Sequence, residues 1–188
     1  MGNAVNPFNT DTLDQGALTY STPTTPANDI QLGWLAYYFP IGEKIEVYLP
    51  AAFPLWVDFV PSISPYLDSF TGATGSLSSF GESNPIYKIG LSSGGGIGFN
   101  YNLNKQFIVS AGYFGGNSFL PTEGNGLFNG EYSALGQLTW KPNDNRQVAA
   151  TYNHAHFRGA GSSIFGLGVG TEDAKNPFNG GTDSTDSY

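Results

Sequence analysis

The chain has 188 residues, with 7 basic side chains against 15 acidic ones, a formal charge of −8, 26 Gly, 12 Pro, no Cys and 15% aromatic residues. The acidic balance excludes sequence-independent nucleic-acid binding, which needs clustered Lys and Arg. Zero Cys excludes disulfide scaffolds and thiol chemistry, and the aromatic load is the opposite of a disordered composition. No apolar run approaches the ~20 residues of a membrane helix, which leaves β-barrel spans open, because alternating strands average to ordinary hydropathy.

Residues 1–30 are rich in Asn, Thr, Asp, Gly and Pro and predict an irregular segment. Residues 31–39 and 43–49 read as a hairpin around Pro40-Ile41-Gly42, with Ile45, Val47 and Leu49 on one face and Lys44, Glu46 and Tyr48 on the other. Residues 52–60 read as a further strand weakened by Pro54, and the Ser/Gly-rich stretch 61–84 as a long connection.

The period-2 signal is strongest from Ile86 onward. Odd positions Tyr87, Ile89, Leu91, Ile97, Phe99, Tyr101, Phe107, Val109, Ala111 and Tyr113 are apolar or aromatic. The even positions are small or polar, Lys88, Asn100, Asn102, Gln106 and Ser110 among them, with Ile108 the exception. Partners across an antiparallel pair share a face. A turn at Ser93-Gly94-Gly95 then pairs Ile89 with Phe99, unless residues 85–103 form one long bulged strand. A turn centred on Asn104 pairs Tyr101 with Phe107. Beyond the long connection 114–129, a second hairpin sets Trp140 against Val148 and Gly136 against Tyr152. It turns at Lys141-Pro142-Asn143-Asp144-Asn145, and Ser133, Gln137, Thr139, Thr151 and Asn153 lie on its polar face. Counting crossings puts the short turns at one end of the sheet and the long loops 114–129 and 157 onward at the other, as in outer-membrane barrels.

A soluble β-sandwich also alternates. Two features favour a transmembrane barrel. The polar face is Gly, Ser, Asn, Gln and Thr with few charges, which suits a wet lumen better than a solvated exterior. Aromatics gather near strand ends, as at bilayer interfaces. On this reading Lys44, Glu46, Lys88, Asn100, Asn102, Gln106, Ser110, Gln137, Thr139, Thr151 and Asn153 are pore-lining candidates. Trp34, Tyr101, Phe107, Val109, Tyr113, Trp140 and Tyr152 face lipid or form girdles. Arg is expected to be excluded at Val109 and tolerated at Ser110.

The run Ser92-Ser93-Gly94-Gly95-Gly96-Ile97-Gly98-Phe99-Asn100-Tyr101-Asn102-Leu103-Asn104 resembles the cyanobacterial outer-membrane porins of the OprB type. So do Glu123-Gly124-Asn125-Gly126-Leu127-Phe128-Asn129-Gly130-Glu131-Tyr132 and Leu138-Thr139-Trp140-Lys141-Pro142-Asn143-Asp144-Asn145. The resemblance implies an all-β, antiparallel porin barrel and passive diffusion of small hydrophilic solutes: carbohydrate as the family's named substrate, inorganic ions or iron as the cyanobacterial variant. It further implies outer-membrane lipid as surroundings, no cofactor and no enzymatic activity; homo-oligomerisation stays open. Such porins carry a signal peptide, a surface-layer-homology domain, a coiled segment and a barrel of about 16 strands. This chain shows no leader after Met1 and about eight or nine candidate strands. It therefore reads as about half of a barrel: residues 1–30 irregular, 31–170 barrel wall, 171–188 a loop leading to a missing strand. The competing reading is a secreted, soluble β-sandwich for binding or adhesion.

The remaining constellations are weak. His154 and His156 share a strand face, but two imidazoles are too few for a metal site. Gly94-Gly95-Gly96-Ile97-Gly98 lacks the following Lys-Ser/Thr of a phosphate loop. Asp58 and Asp68 have no fixed separation for acid–base work. The stretch 61–84, with Tyr66, Asp68, Phe70 and Glu82, is long enough either to fold inward as a constriction or to lie outside as a surface loop.

Overall fold

The computed structural model describes residues 34–63, 83–90, 94–158, 181 and 183–188. They form one antiparallel sheet in which each of seven strands pairs with the next in the chain: β1 (Leu35–Ile41), β2 (Ile45–Ala52), β3 (Gly95–Asn102), β4 (Phe107–Gly115), β5 (Tyr132–Asn143), β6 (Arg146–Phe157) and β7 (Asp183–Ser187). The described residues are all-β with two short 3-10 turns, Trp56–Asp58 and Pro85–Lys88. The connections after β1, β3 and β5 are short and share one end of the sheet. Those after β2, β4 and β6 are long and share the other. Among the described residues the sheet does not close on itself.

Where alternation was uninterrupted, the register follows it. Trp140 opposes Val148 and Gly136 opposes Tyr152 as expected, and a bulge between Trp140 and Asn143 takes up Pro142, which has no N–H for the ladder. The β3–β4 turn is displaced by one residue from expectation. Tyr101 opposes Val109, and Asn102 opposes Ile108. Asn104 acts here through its side chain, whose Oδ1 accepts the N–H groups of Gln106 (2.8 Å) and Phe107 (2.9 Å). Moving the turn centre by one residue shifts the register by two, so every side chain keeps its face.

Three expectations fail. Residues 52–60 are not a strand. The chain leaves β2 through Phe53 at φ 53°, a left-handed conformation uncommon for a bulky residue, and enters the first 3-10 turn. Residues 86–89 are not a strand pairing with 97–99 either, because Phe99 already has Val47 and Ala111 as its two neighbours. Instead Asn84 caps the Ile86 N–H (3.0 Å) and Pro85 opens a 3-10 turn. Finally, the tail is not all loop: Asp183–Ser187 pairs with Asn153–Phe157 as β7.

Candidate functional site

The two faces of the sheet have opposite fates. On the odd-parity face of β3 and β4, and the matching face of their neighbours, large apolar side chains stand uncovered. Ile97 is 51% exposed, Leu138 46%, Val148 56% and Tyr152 50%. Aromatic rings mark the two ends of this band. Phe107 stacks on Trp140 (6.3 Å between centroids) at the short-turn end. Tyr113 stacks on Tyr132 (5.4 Å), and Tyr132 on His156 (5.7 Å), at the long-loop end. From Tyr132 to Trp140 is about 27 Å along the strand at ~3.4 Å per residue. A tilt of ~40° reduces this to about 21 Å, close to the ~25 Å apolar band of outer-membrane barrels. Tyr101, Val109 and Tyr152 share this apolar face. Trp34 does not. It lies beside Tyr38, on the parity of Tyr48, and its indole donates to a carboxylate on the opposite side of the sheet.

The polar face is covered by the chain itself. Residues 53–63 and 83–90, which flank the long connection between β2 and β3, lie across it. The buried cluster Tyr48, Trp56, Phe59, Val60, Ile86, Tyr87, Ile89, Phe114, Leu135, Ala155 and Phe157 is the interface between wall and segment. Trp56 is fully buried and stacks on Phe114 at 3.8 Å, and Phe59 stacks on Tyr48 at 5.1 Å. Two wall glycines make room for these rings. A Cβ at Gly98 would come within 2.4 Å of the Phe59 ring, and one at Gly112 within 2.9 Å of both Phe59 and Trp56.

Polar wall side chains hold the segment by its backbone, whose irregular path leaves carbonyls without ladder partners. Asn100 Nδ2 donates to the Phe59 carbonyl (2.6 Å) and is itself braced by Ser110 Oγ (2.6 Å). Gln137 Nε2 donates to the Pro61 carbonyl (2.7 Å) and to Thr139 (2.8 Å), while its Oε1 accepts from Tyr87 (2.6 Å) and Thr151 (2.8 Å). Gln147 reaches Ser62 O (2.9 Å). Ser133, hydrogen-bonded to Asn153, and Trp56 Nε1 both donate to Ile89 O (3.2 and 3.1 Å). Among the described residues no buried side-chain N or O atom lacks a partner.

This arrangement locates each candidate. Asn100, Ser110, Gln137, Thr139, Thr151 and Asn153 face the polar side as parity predicts, but the segment covers them, and Ser110, Thr139 and Asn153 are fully buried. The expectation that Arg fits at Ser110 is therefore corrected. Lys88, expected on a strand, sits buried on the second 3-10 turn. Lys44, Glu46, Asn102 and Gln106 remain exposed near the short-turn end. Tyr66, Asp68, Phe70 and Glu82 lie outside the described residues; their flanks fold over the polar face. Between the segment and β6, Ser62, Ile63, Asn84, Ile86, Tyr87, Ala149 and Thr151 border an open cleft of about 270 Å³.

The wall's role as a seat was missed, although a signal existed. Tyr48, Phe114, Leu135 and Phe157 are large apolar residues at polar-face positions. They cluster where Trp56 and Ile86 dock.

Asp58, at the end of the first 3-10 turn, ties the segment to β1 and β2. Its Oδ2 accepts from Tyr48 Oη (2.5 Å) and Trp34 Nε1 (2.9 Å), and its carbonyl accepts from Tyr38 Oη (3.4 Å). Burial pushes its carboxyl above the usual carboxylate range, against the opposing pull of those donors.

His154 and His156 stand on the apolar face at the long-loop end. His154 Nδ1 contacts Asp186 (2.8 Å), and its Nε2 contacts Tyr132 Oη (3.2 Å). His156 Nδ1 contacts Ser184 (2.9 Å). Their ring nitrogens are thus directed at separate partners on β5 and β7. Among the described residues no group of three metal-ligating side chains assembles. Nor is any helix there long and apolar enough to cross a membrane, which says nothing of strands.

Comparison with known proteins fits this geometry. The family model described as carbohydrate-selective porin, OprB family, matches residues 2–185. An uncharacterized protein of Nostoc sp. (strain PCC 7120) is 34% identical over 186 residues, covering 93% of this chain and 32% of its own length. An uncharacterized protein of Synechocystis sp. (strain PCC 6803) is 33% identical over 151 residues, covering 80% of this chain and 27% of its own length. The chain thus spans about a third of the length of these relatives. No solved structure matches it.

Proposed function

The chain belongs to the OprB family of carbohydrate-selective porins, and on that premise we propose that it forms part of the wall, and the built-in constriction, of an outer-membrane diffusion channel. The family is one of transport channels, not of enzymes. One observation carries the reading: the sheet leaves its apolar face bare while covering its polar face with its own segment. In a soluble sandwich the apolar face would be buried against a second sheet. In a barrel that face meets lipid, and the polar face bounds the lumen.

Solutes would pass by diffusion between the inserted segment and the remainder of the wall. The cleft sets the hydroxyl and amide groups of Ser62, Asn84, Tyr87 and Thr151 among the apolar Ile63, Ile86 and Ala149, a mixed lining that accepts small hydrophilic solutes, saccharides above all, with inorganic ions, iron included, as alternatives. Outer-membrane lipid surrounds the apolar band, and homo-oligomers are compatible with it. The acidic excess of the chain favours cations weakly.

The test is conductance of the protein reconstituted in planar bilayers, with reversal potentials under a KCl gradient. Discrete channels with weak cation preference are expected. An absence of channels, or firm anion selectivity, overturns the proposal.

A further inference from the structure

The mechanism of a passive channel makes no use of Asp58, a half-buried carboxyl whose hydrogen bonds tie the inserted segment to β1 and β2. We propose that Asp58 is a proton-operated latch: protonated, it fixes residues 53–60 against the polar wall, and ionised, it loosens them.

The geometry supplies both states. The ionised carboxylate has two donors on one oxygen, Tyr48 Oη and Trp34 Nε1. Both are neutral, so they solvate the charge without cancelling it. The titratable groups in contact with it are Tyr38 from β1 and Tyr48 from β2, and Glu46 of β2 lies on the far side of Tyr38. Among the described residues, burial and hydrogen bonds govern the carboxyl, and burial prevails. A neutral carboxylic acid in the same place keeps an oxygen for Tyr48 and Trp34 and carries no charge to desolvate.

The sign follows from linkage. The docked segment binds the proton more tightly than the free one does. This contribution to docking is complete below the ordinary carboxylate range and is lost as pH rises through the elevated docked value. Trp56 and Phe59 are buried against the wall through apolar contacts that do not depend on the charge of Asp58, so ionisation weakens docking without abolishing it. The consequence for permeation rests on the channel reading above: acid narrows the passage by firming the segment. The latch itself does not depend on it.

Hydrogen exchange at the Phe59 and Val60 amides, both bonded to the Trp56 carbonyl, reads the docking directly. In protein refolded into detergent micelles and corrected for intrinsic rates, protection is expected to fall severalfold between pH 4 and pH 8. In Asp58→Asn it should stay high throughout. Tyr48→Phe keeps the ring but deletes one donor to the charged form, so the midpoint should move to higher pH. A wild-type-like pH response in Asp58→Asn, or an unmoved midpoint in Tyr48→Phe, overturns the latch. In bilayers, wild-type conductance should be lower in acid and that of Asp58→Asn independent of pH. Equal pH steps in the two proteins would again refute the latch. Absence of channels would refute the function instead, with exchange still deciding the latch.

Discussion

Replacing Gly98 by Ala tests whether the glycines of the polar wall are seats for the inserted aromatics. The added methyl would lie 2.4, 2.7 and 2.8 Å from Phe59 Cζ, Cε1 and Cε2, so it meets the far edge of a rigid ring. Phe59 has little room to retreat, being packed against Tyr48, Trp56 and Phe114. Overpacking of this kind costs about 1–3 kcal/mol. Glycine's backbone freedom is lost in the strand whether or not the segment is docked, so it does not offset this cost. Segment docking is therefore weakened by about 1–3 kcal/mol, on the order of tenfold in the docking equilibrium. Gly136→Ala is the control. It too lies in a strand without positive φ, but on the outward face, with nothing within 4 Å of its Cβ. It should raise global stability by about 0.5–1 kcal/mol and leave segment docking unchanged. Exchange protection of residues 53–60, together with urea unfolding in micelles, measures both. If Gly98→Ala leaves protection intact, or Gly136→Ala loosens the segment equally, the wall is not a steric seat.

Two further substitutions probe the faces. Val109→Arg puts a charge on the outward band and should hinder insertion into liposomes by about 2–4 kcal/mol near mid-band. Ser110→Arg should spare insertion but expel the segment, seen as lost protection at Phe59 and Val60, because Ser110 is fully buried against Asn100. Gln137→Leu should weaken docking by about 1–3 kcal/mol, since it strips partners from Tyr87 Oη and the Pro61 carbonyl. Urea unfolding followed by Trp fluorescence would check this, and an unchanged midpoint would count against Gln137 as a bracket.

Much of the wall was legible in the residues. Period-2 alternation over Ile97–Tyr113 and Tyr132–Tyr152 specifies which side chains share a face. Because that period survives a shift of two, even the displaced β3–β4 turn left the two-faced reading intact. The alternation of short turns and long loops followed from the same count. The family was equally legible, in its hairpin texture.

The covered polar face was not. Residues 52–60 and 86–89 carry apolar side chains at strand-like spacing, and local pattern alone made them strands. What overrules it is non-local. The edges of β3 are already occupied by β2 and β4, and Phe53 turns the chain across the sheet. Trp56 and Phe59 gain more by stacking on Phe114 and Tyr48 over bare glycine backbone than another strand could offer them. Likewise Asn100, Gln137 and Ser133 read only as polar wall residues until the carbonyls they hold, each more than forty residues away, were brought within reach. Alternation therefore determined the two faces by itself, since it depends only on backbone geometry. What covers each face was decided by tertiary structure, because it depends on which distant surfaces are complementary in shape and hydrogen bonding.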